Sequence, residues 1–140
     1  MSYLRRKSME LRTYVPYNLA LQLKELGFNE YCHTWYDHRG EIHWFRLGYT
    51  SMTCAGHNKN LPEHTCVAPE VSEIVSWVRQ EHGLFLSAKF DLETTKYSYE
   101  IIDIKAEPGW RVSDSRSKTW KTPDDALLEG IKWLIKEGKL

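Results

Sequence analysis

A chain of 140 residues, 41% hydrophobic and 27% charged, has the size and composition of one globular domain with its own core, not of a disordered chain. Basic and acidic residues each number 19, so the formal net charge is zero. That argues against a dedicated sequence-independent nucleic-acid binder, whose affinity comes from excess positive charge.

No apolar run approaches the roughly 18 residues of a membrane span. The basic residues near the start, Arg5, Arg6 and Lys7, are not followed by the apolar segment of a signal peptide. Residues 1–12 read as a loosely docked arm with solvated charges. A first helix is expected over 16–26, entered at Pro16, with Leu19, Leu23 and Leu26 on one face and Gly27 as its stop. Strands at 31–37 and 41–48 flank the turn His38-Arg39-Gly40 and predict a hairpin. Residues 49–66 keep no period and read as a long loop.

The clearest element follows. Pro69 suits a first helical turn, and Val71, Ile74, Val75 and Val78 then recur at one helical face. Glu70 and Glu73 near its start and Arg79 and His82 near its end complement the helix dipole, and Gly83 ends it. A second hairpin is expected from 84–91 and 96–105, turning through residues 92–95. Residues 106–121 look irregular around Pro108 and Gly109. Thr122 caps a last helix over 123–136, with Asp124 and Asp125 in its first turn and Leu127, Leu128, Ile131, Leu134 and Ile135 on its apolar face.

These elements predict an α+β fold in the order α-ββ-α-ββ-α, an antiparallel sheet of about four strands with the helices mainly on one face. Both alternations of the first hairpin carry apolar or aromatic residues. The sheet face away from the helices therefore needs a cover, either the 106–121 segment or a partner.

Three stretches, Val15-Pro16-Tyr17 through Gly27-Phe28, Ala68-Pro69 through His82-Gly83, and Thr122-Pro123-Asp124-Asp125-Ala126-Leu127, resemble a group of small uncharacterised proteins encoded in phages and prophages of gut bacteria. The resemblance covers about two thirds of the chain, and its middle motif is the specific one. It implies an accessory role in the cytoplasm of a bacterial host and carries over no site residue. The loop at 53–66 departs from that pattern in its cysteines and histidines.

That loop holds the sharpest constellation. Cys54, His57, His64 and Cys66 are the donor set of a tetrahedral zinc site, and the alternative is a polar loop that happens to contain them. A cysteine–histidine nucleophile, Cys54 or Cys66 with His57 or His64 as base, would also need an orienting group that the sequence does not supply. Three cysteines without framework spacing fit reduced thiols. His33 and His43 are positioned to face each other across the first hairpin.

The chain is rich in aromatics, with six Trp, eight Tyr and four Phe, and such residues often mark interaction surfaces. Tyr97, Tyr99, Trp110 and Trp120, accompanied by Arg111, Arg116, Lys118 and Lys121, form the second constellation. It suits a protein partner, from host or phage, or a second copy of the chain, with Arg111 and Lys118 as a polar rim. Aromatics alternating with basic residues also suit single-stranded nucleic acid, through stacking and phosphate neutralisation. The plainer reading has the indoles anchor the segment to the sheet. No phosphate loop, carboxylate pair or nucleophile elbow is present, so the sequence argues for binding rather than catalysis. An interaction protein is the first expectation, a nucleic-acid module using 110–121 the second, and a zinc protein organised by residues 54–66 the third.

Overall fold

The computed structural model describes residues 13–45, 56–106, 110–115 and 118–140, with the backbone alone at 110–112. The arm expected over 1–12 lies outside these residues. The fold is α+β, and the chain divides into two compact units at Glu70/Val71.

In the first unit, helix α1 spans Tyr17–Glu25. Pro16 precedes it in an extended conformation, and Gly27, at φ 99, turns the chain away after it. Its buried side chains are Leu19, Ala20 and Leu23. Leu26, expected on that face, is instead the exposed C-cap residue. Strands β1 (Thr34–Tyr36) and β2 (Ile42–Trp44) form the first hairpin; β1 is shorter than the expected 31–37, and residues 46–48 of the expected second strand lie outside the described residues. Its turn is ordered by Asp37, whose carboxylate accepts the backbone N–H of Arg39 at 2.9 Å and of Glu41 at 3.0 Å. Gly40, at φ 80, supplies the left-handed residue that such a loop needs.

Residues 56–66 are not a structureless loop. Asn58 opens a 3-10 turn (Asn58–Asn60) and is buried, donating to the Phe28 carbonyl at 2.7 Å and accepting from the Val67 N–H at 2.9 Å. The chain then enters strand β3 (Cys66–Val67), which pairs with β1 to give the sheet order β2-β1-β3. Thr34 donates its hydroxyl to the Ala68 carbonyl at 2.7 Å, and Tyr36 donates to the Val15 carbonyl at 2.6 Å. A polar group that is buried but bonded loses little, and here it fixes register.

In the second unit, helix α2 spans Val71–His82 and ends at Gly83, φ 65. Val71, Ile74 and Val78 are buried as their spacing predicts. Val75 is only half-buried, and Trp77 occupies the core in its place. Strands β4 (Leu84–Asp91) and β5 (Lys96–Asp103) make a regular hairpin, and β6 (Trp110–Asp114) pairs with β5 across a register shift at Ile101/Ile102. Helix α3 (Pro123–Lys136) packs on β4 and β5, while α2 packs on β4 and on α3. Thr122 caps α3, its hydroxyl accepting the Asp125 N–H at 3.1 Å. Gly130 lets α3 approach the sheet: a Cβ there would stand 2.6 Å from a Leu86 methyl and 3.3 Å from the Tyr99 ring.

Among the described residues, the four-stranded sheet in α-ββ-α-ββ-α order gives way to two three-stranded antiparallel sheets. Each gains a third strand from a segment that shows no period: β3 has two residues, and β6 is interrupted by its bulge. Residues 110–114 extend the sheet edge, where the sequence had suggested a lid over its face. The two units share the order helix, glycine, three strands. Their strand orders nevertheless differ, since β3 joins the first strand of its hairpin and β6 the second.

Candidate functional site

After β6 the chain keeps company with β5. Ser115 donates its N–H to the Tyr99 carbonyl at 3.1 Å, and its hydroxyl accepts the Tyr99 N–H at 3.0 Å. At Trp120 the ladder resumes, because Trp120 and Tyr97 exchange two backbone hydrogen bonds of 2.8 Å. Residues directly opposite in an antiparallel pair share a face, and so do residues two apart. Trp120 therefore joins Tyr97 and Tyr99 on the face where α3 lies, and its ring sits 5.9 Å from that of Tyr99. Phe90, opposite Tyr97 in register and half exposed, continues the array with a ring contact of 5.3 Å.

Helix α3 supplies the other wall. Glu129, Lys132, Trp133 and Lys136 recur every three or four residues and so project from one side of it. Together with Tyr99, Lys118 and Trp120 they line a cavity of about 220 Å³. Lys132 meets Glu129 at 3.2 Å. Lys118 and Lys136 are exposed and make no side-chain ion pair among the described residues. The groove has two indoles, a buried phenol and three ammonium groups against one carboxylate. Burial raises the Tyr99 phenol above its ordinary range.

Of the four residues the sequence marked for a partner, Trp120 and Lys118 line this groove. Trp110 and Arg111 stand opposite Asp103 and Ile102, six and five residues along β5 from Tyr97. At about 3.3 Å per residue that separates Trp110 from Trp120 by roughly 20 Å, so the four do not form one cluster. The side chains of Trp110 and Arg111, and the whole of Arg116, lie outside the described residues. Sequence reasoning missed the α3 wall. The signal was there: Trp133 stands off the apolar stripe of its helix, between Lys132 and Lys136.

Of the zinc constellation, His57, His64 and Cys66 are described, and these three are not a convergent group of ligand atoms. Cys54 lies outside the described residues. Cys66 is buried in β3, and burial pushes its thiol up to about 12 against the pull of Lys24. His64 is exposed at φ 66 beside Glu63, while the half-buried His57 ring packs 5.6 Å from Tyr31.

Among the described residues, one set of three potential metal-ligand atoms converges: Asp37, Glu41 and His43, at the first hairpin's turn. The Asp37 carboxylate is already engaged, by two backbone N–H groups, by His43 Nε2 at 2.8 Å and by Arg39 at 3.6 Å. The His43 contact is the main reason why the Asp37 carboxyl is held well below the usual range. His43 also stacks on Trp35, its partner in register. His33 stands opposite Phe45 rather than His43.

Comparison with models of known protein families, with curated proteins and with solved structures yields no match for this chain.

Proposed function

We propose that this is a non-enzymatic interaction protein whose partner docks in the groove between α3 and the Lys118–Trp120 segment that lies beside β5. One observation carries the reading: the fold gathers Trp120, Trp133 and three lysine ammonium groups around one cavity. Aromatic faces supply apolar contact area at low entropic cost, and the lysines select a partner bearing negative charge. The groove does not need the outer sheet face, so a cover formed by residues 106–121 is not part of the reading. The resemblance to phage and prophage proteins supports an accessory role inside a bacterial host cell. No helix among the described residues is long and apolar enough to cross a membrane.

An anionic planar dye, anilinonaphthalene sulfonate, tests the groove whatever the partner is. The folded protein is expected to bind one equivalent, and Trp133→Ala or Lys136→Glu to weaken binding while the thermal melt stays cooperative. Absence of dye binding, or binding indifferent to both variants, overturns the reading.

A further inference from the structure

We infer that the groove takes a nucleotide unit, a base carrying its phosphate, either free or within a single-stranded nucleic acid. The inference rests on the docking role proposed above and specifies its chemistry.

The cavity, about 220 Å³, is smaller than the roughly 300–1,000 Å³ that bury drug-sized ligands. A volume of that size suits one planar ring system. The walls suit such a ring. Trp120 and Trp133 offer indole surface for stacking, and stacking on aromatic side chains accepts any base. Lys118 and Lys136 are exposed and free of carboxylate partners among the described residues, so both ammonium groups are available to a phosphate. Glu129, held by Lys132 at 3.2 Å, offers an acceptor that a ring amine would use and a plain anion would avoid. The array then continues past the cavity through Tyr97 to the half-exposed Phe90, which gives a neighbouring base somewhere to lie. An acidic peptide would satisfy the lysines but would leave the indoles without a ring.

Because the whole chain is electrically neutral, attraction is local to these lysines. Neutralising two phosphates of a single strand gives a log–log salt slope of about −1.4, shallow beside that of basic nucleic-acid binders.

The test uses the full-length protein with the sulfonate dye bound. Its probes are adenosine monophosphate, adenosine, inorganic phosphate, a short oligothymidylate and an acidic peptide. Displacement by the monophosphate or the oligonucleotide is expected, with adenosine weaker and inorganic phosphate ineffective at the same concentration. Much tighter displacement by the oligonucleotide identifies a strand as the source, and equal displacement identifies the free nucleotide. Trp133→Ala is expected to weaken binding about five- to hundredfold, the range for loss of one stacked base. The double variant Lys118→Gln/Lys136→Gln, both positions being exposed, is expected to flatten the salt slope by about 1.4. A bound dye that neither nucleotide probe displaces overturns this inference and leaves the docking role standing. So does displacement by inorganic phosphate alone or by the acidic peptide alone.

Discussion

Lys24 places its ammonium 2.7 Å from the carbonyl oxygen of Thr65 and donates as well to the carbonyls of Pro62 at 3.0 Å and Leu61 at 3.2 Å. A side chain from α1 thus does for the 61–65 turn what a bound cation does elsewhere, gathering several carbonyl dipoles around one positive charge. Tyr17, also on α1, adds a bond of 2.7 Å to the His64 carbonyl. This is how a segment without periodicity is held in place before β3.

Removal of that charge leaves two part-buried carbonyls short of a donor. Lys24→Met keeps the apolar stem and is expected to lower the unfolding free energy by about 1–3 kcal/mol. Urea denaturation measures it. A midpoint unchanged from the parent protein means that water replaces the ammonium at no cost.

The Asp37–His43 contact sets an acid limit. Folding holds the Asp37 carboxyl below its ordinary 3.8, chiefly through the His43 hydrogen bond, with the Glu41 and Arg39 N–H groups adding to it against burial. The unfolded chain therefore takes up the proton first as pH falls. The stabilisation is fully present above the ordinary value and is lost as pH drops below about 4. His43→Phe keeps a ring on Trp35 and removes the hydrogen bond. It is expected to raise the carboxyl toward 3.8, read by NMR titration of the side-chain carbon, and to flatten the acid limb of stability.

Helix α2 offers a paired test of packing. Ile74 is fully buried, and Ile74→Ala is expected to cost about 2–4 kcal/mol. Val75, only half-buried, is expected to cost less than half as much when changed to Ala. Equal losses by chemical denaturation would place the core face one residue further round the helix than the structure does.

Cys66 should behave as an inert thiol. In a Cys54→Ser background the remaining cysteines, Cys32 and Cys66, are both buried. Labelling by a disulfide reagent at pH 8 is expected to follow unfolding, with no fast phase. The sign of the pH effect also follows. The unfolded chain releases the Cys66 proton near 9.0, whereas the fold retains it to about 12. This contribution to stability is complete below pH 9 and is lost as pH rises toward 12. A fast native-state reaction would contradict the burial.

Much of the chain was legible because its signals are local. The expected helix at 123–136 and strand at 84–91 coincide with Pro123–Lys136 and Leu84–Asp91. A capping threonine, a first-turn proline and apolar periodicity act within a few residues, so they survive whatever the rest of the chain does. Gly27 and Gly83 mark helix ends for the same reason, as both have positive φ.

What only the tertiary structure decided depends on residues far apart. The two-residue β3 is too short to show a period, and it exists because β1 offers an edge and Asn58 bonds Val67. Strand β6 is interrupted by a bulge and becomes a strand by pairing with β5. Trp77 is buried while Val75 is only half-buried, a choice of helix face that the valine spacing alone leaves open. The groove is of this kind as well. The sequence by itself marked Trp120 and Lys118 as an aromatic next to a charge. Only the register of Tyr97 with Trp120, and the packing of α3 on β5, bring them to Trp133, Lys132 and Lys136. Helix caps are written within one turn of chain, whereas a cavity forms where two elements meet.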